Sequence, residues 1–203
     1  MIIGLVGFMG SGKGTVGNFL ESKGFIKDSF AKPLKDAVST IFGWSRELLE
    51  GDTELSRSWR EEPDQFWSEK FGKIFSPRDA LQLMGTEAGR DVFNKDLWVI
   101  SLINRTRGKD VVVTDVRFKN EIEHIQDNDG LVIRIRRDKD PVWFNHLAQI
   151  TNDEERKEFM QPMNVHASEW DWVGCKFDCI IDNRGTLSEL SDSVNTMLTY
   201  SKK

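Results

Sequence analysis

The chain has 203 residues, of which 38% are hydrophobic and 30% are charged, values typical of a globular protein with one sizeable core. Its formal net charge of -5 argues against a protein that coats nucleic acid, because such proteins carry an excess of lysine and arginine. The sequence contains neither an apolar run of the roughly 20 residues that a membrane helix needs nor a signal-peptide pattern. We therefore expect a cytoplasmic protein with no nucleic-acid or membrane partner.

The first predicted element is a buried strand over residues 2–6, and the glycine-rich stretch GFMGSGKGT follows it directly. A helix over residues 14–23 comes next and stops before Gly24. The stretch fits the phosphate-binding pattern G-x-x-x-x-G-K, in which glycines let successive N–H groups face one concavity while the helix adds partial positive charge. The residues predicted to bind phosphates here are Gly10, Ser11, Gly12, Lys13, Gly14 and Thr15.

Lys13 supplies a full positive charge, which we expect to contact the outer phosphates of the nucleotide. The strict pattern has a serine or threonine directly after the lysine, where this chain has Gly14. The hydroxyl that contacts Mg²⁺ would therefore come from Thr15 or Ser11.

A short strand is predicted within residues 25–30, and a helix follows over residues 31–44. Lys35 lies near the start of this helix. It is a candidate for binding a second, anionic substrate that would accept a phosphate from the nucleotide. Residues 45–75 are charged and tryptophan-rich, and they predict helical fragments with unreadable boundaries. The helix positions predicted to be buried are Leu34, Val38 and Ile41.

The next helix is predicted over residues 77–93, with Ser76 as its N-cap. Arg78 and Gln82 are four residues apart, so they share one helix face. An arginine there can bind a phosphate and an amide can read a base edge. The alternative is an ordinary amphipathic helix with a solvated polar face.

A helix over residues 96–108 leads to the strand DVVVTDVR, in which Asp115 and Arg117 come just after the buried run. Asp115 is a candidate for orienting hydrated Mg²⁺, and Arg117 is a candidate for bidentate phosphate binding. A surface ion pair at the strand end is the alternative.

After a helix over residues 118–128, the strand LVIRIRR carries Arg134, Arg136 and Arg137. Arg134 and Arg136 share one face of the strand, and these arginines could line the nucleotide site or a closing lid. A solvated edge strand is the alternative. Residues 138–176 show no clean period and predict a lid-like insert. Its tryptophans, Trp143, Trp170 and Trp172, could fold over the nucleotide as a lid, although tryptophans more often lie in a core or at a dimer surface.

The last predicted strand, CKFDCIID, holds both cysteines, which are too far apart in an extended chain for a disulfide and are expected to be buried thiols. A terminal helix over residues 186–200 completes the chain. The residues on its predicted apolar stripe are Leu187, Leu190, Val194 and Leu198.

This alternation of strands and helices predicts a parallel sheet of about five strands covered on both faces, a three-layer α/β/α fold. In such sheets ligands bind beyond the carboxyl ends of the strands. We predict one domain over residues 1–203, with an acceptor-binding helical insert over 45–95 and the lid-like insert over 138–176.

The GxxGxGKGT form resembles the adenylate kinase-like nucleoside monophosphate kinases. More specifically, the chain resembles the deoxynucleoside monophosphate kinases of tailed bacteriophages. The stretches that carry this resemblance are GFMGSGKGT, FAKPLKDAV, PRDALQLMGTE, VVVTDVRFKNE, LVIRIRR, HASEW and FDCIIDNRGTLSEL.

The resemblance implies a P-loop kinase that moves the γ-phosphate of ATP to a deoxynucleoside monophosphate with Mg²⁺. It also implies a homodimer in the cytoplasm, that of the infected host cell if the source is viral. The implied catalytic residues are Lys13, Asp115, Arg117 and Arg137, and Mg²⁺ would be held by Thr15 and Asp115. The implied acceptor-binding residues are Lys35, Arg78, Gln82, Arg117, Glu121 and Arg134. His166 and Glu169 match a His-x-x-Glu of the family.

Two other functions stay open. The Asp-x-Arg and Pro-Leu-Lys patterns also occur in the phosphomevalonate kinases of animals, so the acceptor could be another small phosphorylated metabolite. The second open function is that of a nucleotide-gated binding module without kinase activity. The sequence does not fix which bases are accepted, nor the preference for deoxyribose over ribose.

Overall fold

The computed structural model describes residues 1–200, which form two compact units. The first unit combines residues 1–29 with the chain from residue 106 onward, and the second is residues 30–105. The second unit contains the predicted acceptor-binding insert and extends beyond it at both ends. Each helix within residues 1–200 is too short or too polar to cross a membrane.

All five strands belong to the first unit and form one parallel sheet. The strand order is β2-β3-β1-β4-β5, so the first strand lies at the centre. The strands are β1 (Ile2–Val6), β2 (Ile26–Asp28), β3 (Val111–Val113), β4 (Leu131–Arg136) and β5 (Cys179–Asp182). The predicted parallel sheet is thus confirmed.

Helices connect these strands and build the second unit. In the described part of the chain the α-helices are α1 (Lys13–Glu21), α2 (Lys32–Phe42), α3 (Glu54–Glu61), α4 (Gln65–Phe71), α5 (Pro77–Gln82), α6 (Leu97–Thr106), α7 (Lys119–Asp127), α8 (Phe144–Leu147), α9 (Asp153–Met160) and α10 (Leu187–Tyr200). A π-helix spans Leu83–Phe93, and short 3₁₀ turns span Gln161–Met163 and Ala167–Glu169.

The sheet of the first unit is covered on both faces. On one face, Ile3 and Leu5 of β1 pack in the same core as Val16 of α1 and Val194 of α10. On the other face, a Cβ added to Gly4 would overlap the side chain of Ile125 in α7. Helix α7 therefore packs closely on this central strand. Successive residues of a strand point to opposite faces, which is why β1 packs against helices on both faces of the sheet.

Two residues predicted to be buried and one predicted helix differ in the structure. Ile41 is exposed, because Phe42 takes the inward position of α2 at the end of the helix and packs on Trp44. Leu187 is exposed in the first turn of α10, whereas Met197 in the last turn is buried. The helix predicted over residues 77–93 starts at the Ser76 cap as expected, but after Gln82 it widens into the π-helix.

The second unit has its own aromatic core. Leu34 and Val38 of α2 are buried together with Trp44, Leu49 and Phe75. Trp44 stacks on Phe42 with ring centroids 4.5 Å apart. The tryptophan-rich region thus folds as the core of a helical unit.

Within the first unit, residues 138–176 form an insert built around a buried arginine. The guanidinium of Arg156 donates to five backbone carbonyl oxygens, those of Leu147, Ile150, Trp170, Asp171 and Val173, at 2.9–3.3 Å. Trp170 and Trp172 are 6% and 1% exposed, so both side chains are buried.

The two cysteines are unpaired, as predicted, but each is only partly buried. Cys175 precedes β5 and Cys179 begins it. Burial is the main reason why the pKa of the Cys175 thiol is raised to about 11. A thiol with a raised pKa stays protonated at neutral pH, which makes it a weak nucleophile.

Candidate active site

The glycine-rich loop runs from the end of β1 to the start of α1, at the centre of the carboxyl edge of the sheet. Gly7, Gly10 and Gly12 have φ values of 149°, 78° and 102°, a region that residues with a Cβ rarely adopt. A Cβ on Gly7 would overlap the carbonyl oxygen of Ile135, and one on Gly12 would overlap the side-chain amide of Asn183. The loop therefore needs glycine at both positions to lie against β4 and the end of β5.

Two contacts fix the curvature of this loop. The N–H of Ser11 donates to the carbonyl oxygen of Phe8 at 3.2 Å. The amide of Asn183, one residue beyond β5, donates to the carbonyl oxygen of Ser11 at 2.9 Å. Sequence reasoning missed Asn183, although its place just after a predicted strand was a usable signal, because ligands of parallel sheets lie at such strand ends.

The start of α1 is suited to an anion. Its N-cap residue, Gly12, makes no side-chain cap, and its first turn contains no acidic residue. The first N–H groups of a helix have no partner inside the helix, and they carry partial positive charge. The buried hydroxyl of Ser11 also has no hydrogen-bond partner within the described residues, and the side chain is only 4% exposed. Phosphate oxygens would satisfy both kinds of donor, so the loop fits a nucleotide tail.

Lys13 points back into the loop. Its ammonium group donates to the carbonyl oxygens of Gly7 at 2.6 Å and Phe8 at 3.0 Å. Burial and the nearby charge of Arg117 lower the pKa of Lys13 to about 8, while Glu169 and Asp115 act in the opposite direction. The predicted catalytic groups Lys13, Asp115 and Arg117 therefore lie within electrostatic range of one another.

The turn after β3 is held by a buried carboxylate. Glu121, which is 2% exposed, accepts the N–H groups of Arg117 at 2.8 Å and Phe118 at 3.1 Å. The Arg117 side chain donates to Glu169 at 3.2 Å and to Ser168 at 3.4 Å. In this arrangement Glu121 orients the backbone that carries Arg117, which is a positioning role.

Arg134 in β4 is 5% exposed and packs among aromatic rings of the insert. Its guanidinium lies 4.4 Å from the ring centroid of Phe144 and 5.3 Å from that of Trp172, and it pairs with Asp140. Phe8 of the loop also makes an edge contact with Trp172, at 4.9 Å between centroids. Phe8 was missed by sequence reasoning, and these contacts join the loop to the insert.

A cavity of about 300 Å³ opens beside the glycine-rich loop. Arg137, which is exposed, lies on its rim just after β4. The neighbouring Arg136 is engaged elsewhere, in a two-bond pair with Asp182 of β5 at 2.7 and 2.8 Å. Further residues that line the cavity are Ser11, Arg134, Asp138, Lys139 and Glu169. The cavity is lined by charged groups next to the loop that fits a phosphate chain.

The predicted metal ligands Thr15 and Asp115 are both half-buried. Residues 1–200 hold no group of three or more His, Cys, Asp or Glu side chains that could bind a metal ion by themselves. Mg²⁺ commonly takes only one or two protein oxygens, with phosphate oxygens and water completing its shell. The oxygens of Thr15 and Asp115 are of the type that such an ion binds.

The remaining predicted acceptor residues lie in the second unit. Lys35 donates to the carboxylate of Glu50 at 2.6 Å. Arg78, whose side chain is 59% exposed, pairs with Glu61 at 2.9 Å. Gln82 is exposed at the last turn of α5, before the π-helix.

Two curated relatives match the chain. A putative deoxynucleotide monophosphate kinase of Acanthamoeba polyphaga mimivirus is 36% identical over 152 residues, covering 68% of this chain and 74% of the relative. A deoxynucleoside-5′-monophosphate kinase of Escherichia phage T5 is 28% identical, covering 64% of this chain and 74% of the relative. No family model matches the sequence.

Solved structures with a similar backbone were also found. Shikimate kinase from Aquifex aeolicus has a TM-score of 0.46 and 16% identity, covering 100% of this chain and 98% of that one. Dephospho-CoA kinase from Campylobacter jejuni has a TM-score of 0.45 and 16% identity, covering 99% and 97% of the two chains.

Proposed function

This chain belongs to the deoxynucleotide monophosphate kinase family, and we propose that it transfers the γ-phosphate of ATP to a deoxynucleoside monophosphate, giving ADP and the deoxynucleoside diphosphate. One observation carries the proposal: an uncapped helix start, an unpartnered buried hydroxyl and a buried ammonium converge on one glycine-rich loop. Both matched relatives carry this activity in their names.

In the proposed reaction, a phosphate oxygen of the acceptor attacks the γ-phosphorus of ATP. The new P–O bond forms as the bond to the β–γ bridging oxygen breaks, and the electron pair leaves with ADP. Little covalent chemistry falls to the protein, so its residues act by positioning and by electrostatic stabilisation.

The roles of the loop residues follow from their chemistry. The backbone N–H groups from Gly10 to Thr15 bind the donor phosphates, and Lys13 exchanges its carbonyl partners for the outer phosphates. Thr15 and Asp115 would hold Mg²⁺, with Ser11 as a second hydroxyl. When bound, this ion would offset the negative charge of the phosphates.

The catalytic arginines come from two strand ends. Arg117 follows β3 and Arg137 follows β4, so both lie at the edge where the loop is. Guanidinium groups stabilise the negative charge that spreads over the transferred phosphoryl group. Glu121 and Glu169 act as positioning residues, because they hold the backbone and the side chain of Arg117. Arg134 serves the site by holding the insert against the loop.

The acceptor nucleotide is assigned to Lys35, Arg78 and Gln82 of the second unit. Arg78 would bind the acceptor phosphate and the amide of Gln82 would read the base. The proposal treats residues 45–95 as the acceptor-binding insert of a single kinase domain. We also propose that the protein is a homodimer. A location in the host cytoplasm fits the viral origin of both relatives.

A panel of acceptors tests the proposal. Purified protein is mixed with ATP, Mg²⁺ and each common ribo- or deoxyribonucleoside monophosphate, and with phosphomevalonate, and ADP release is followed. We expect at least one deoxynucleoside monophosphate to accelerate ADP release and to appear as its diphosphate. Slow hydrolysis that no acceptor accelerates would contradict the proposal.

Two variants assign the activity to the loop. Lys13→Ala should lose transfer by orders of magnitude, whereas Lys23→Ala removes the same charge from an exposed position just after α1 and should stay near wild type. Circular dichroism verifies that both variants are folded, and sedimentation gives the oligomeric state. Normal turnover in Lys13→Ala would refute the assigned role.

A further inference from the structure

Arg60, at the C-terminal end of α3, is a cation without an acceptor. Its guanidinium makes no hydrogen bond and no ion pair to any residue between 1 and 200. Its Nε atom is fully buried, and so cannot turn to solvent instead. A buried donor left without an acceptor is unfavourable, so Arg60 does not stabilise the fold through a hydrogen bond of its Nε group.

Arg156 of the same chain shows what a structural arginine looks like. Its guanidinium is covered by five backbone carbonyl oxygens and stabilises the insert. Arg60 is not covered in this way. Instead the loop at Gly51 closes over its guanidinium, and a Cβ on Gly51 would overlap Nη2 and Cζ of Arg60. Packing thus fixes this guanidinium in place while its donors stay unused.

A second arginine lies beside it. Arg78 at the start of α5 pairs with Glu61, the residue next to Arg60. Burial and the positive charge of Arg78 lower the pKa of Arg60. Two guanidinium groups that repel each other in a folded unit indicate a site for an anion that would bind both.

The carboxylates nearby are already engaged. Glu50 accepts Lys35 at 2.6 Å and Arg46 at 2.5 Å, one on each oxygen. Glu61 accepts Arg78 at 2.9 Å in a pair that is more than half exposed. An exposed pair of this kind is weak, so a phosphate can replace Glu61 as the partner of Arg78.

We infer that Arg60 and Arg78 together form the subsite that binds the 5′-phosphate of the acceptor nucleotide. This inference rests on the proposed function and deepens it, because it adds a phosphate-binding residue from the region where the sequence assigned none. A phosphate monoester offers three oxygens, enough to accept from both guanidinium groups at once. Arg60 is therefore a specificity-determining residue for monophosphate acceptors.

The test compares Arg60→Gln with Arg57→Gln. Arg57 lies one turn earlier on α3, is exposed and donates only to a backbone oxygen, so its change removes the same charge from the same helix. We expect Arg60→Gln to raise KM for the acceptor by about 10- to 100-fold, with KM for ATP unchanged within about twofold. Arg57→Gln should change the acceptor KM by less than about threefold.

Arg60→Lys keeps the charge but loses the forked donor, so its acceptor KM should lie between wild type and Arg60→Gln. This variant also decides the matter if Arg60→Gln does not fold. Equal acceptor KM values for wild type and a folded Arg60 variant would overturn the inference and leave the proposed function intact. Equal effects of Arg57→Gln and Arg60→Gln would overturn it as well.

A binding measurement separates this inference from the proposed function. Inorganic phosphate is titrated calorimetrically into Lys13→Ala protein, in which the glycine-rich loop is weakened, with and without Arg60→Gln. Weaker phosphate binding in the double variant supports the Arg60 site even if no nucleotide proves to be an acceptor. Identical isotherms would overturn the site.

Discussion

The side-chain amide of Asn183 donates to the carbonyl oxygen of Ser11 at 2.9 Å, which ties the end of β5 to the glycine-rich loop. The same amide occupies the space in which a Cβ on Gly12 would lie. The shape of the phosphate-binding loop therefore depends on a residue that is 172 positions away in the sequence.

Asn183→Ala removes this support without adding charge. Loss of one hydrogen bond corresponds to about 0.5–1.5 kcal/mol, so we expect KM for ATP to rise by about 2- to 10-fold with little change in the acceptor KM. Asn145→Ala on the exposed side of α8 is the matched control and should behave as wild type. Steady-state kinetics with each substrate varied in turn measures both values. Unaltered ATP kinetics in Asn183→Ala would show that the loop keeps its shape without this contact.

Lys13 should make ATP use dependent on pH. Its pKa is lowered to about 8, chiefly by burial, so the ammonium that binds phosphate loses its charge as the pH rises through that value. We expect kcat/KM for ATP to fall by up to about tenfold per pH unit above this point. Lys13→Arg keeps its charge at these pH values, so its lower activity should not show the same fall. A matching alkaline fall in both proteins would assign the titration to another group.

The same lowered pKa has a consequence for stability. Between the folded pKa of about 8 and the unfolded value of 10.5, the unfolded chain binds more protons at this site than the folded chain. The free energy of unfolding should therefore rise with pH across this window. The destabilisation caused by burying a charged Lys13 has its full size below pH 8. It decreases as the pH rises and is absent above pH 10.5. Urea titrations of wild type and Lys13→Met over this range measure the difference.

Ser11→Ala should separate stability from activity. The hydroxyl is buried without a partner, so its removal is expected to leave the free energy of unfolding unchanged or slightly higher. If the hydroxyl binds phosphate or the Mg²⁺ held there, kcat/KM for ATP should fall by about tenfold. Ser22→Ala, at an exposed position just after α1, is the control. A destabilised Ser11→Ala protein with normal kinetics would indicate a structural hydroxyl.

Arg156→Met should destabilise the insert. The change leaves five carbonyl oxygens without their donor, and we expect a loss of about 3 kcal/mol or more in unfolding free energy. Lys157→Met removes the same charge from the next, exposed residue and should leave the unfolding free energy close to that of wild type. Chemical denaturation followed by tryptophan fluorescence measures both. Similar stability of the two variants would mean that the insert does not depend on Arg156.

Local sequence patterns predicted the elements around the loop well. The apolar run before GFMGSGKGT is β1, and the helix after it is α1, because glycine spacing and helical periodicity are local properties. Ser76 is the predicted N-cap, since its side chain needs only the N–H three residues on. The prediction that Ile41 is buried was wrong, because the choice between neighbouring inward positions depends on what the helix packs against. The π-helix after Gln82 likewise has no local signal in the sequence.

The sequence by itself determined the strand, the glycine-rich turn with one lysine and the helix that follows, because backbone conformation and helix-end charge depend on neighbouring residues. Only the tertiary structure decided which distant groups support that loop and which arginines are buried for structure or left unpaired. Asn183, the aromatic contacts of Phe8 and the unpartnered Arg60 each result from the meeting of segments far apart in the chain. Burial and pairing depend on such meetings, so no residue pattern within one segment can specify them.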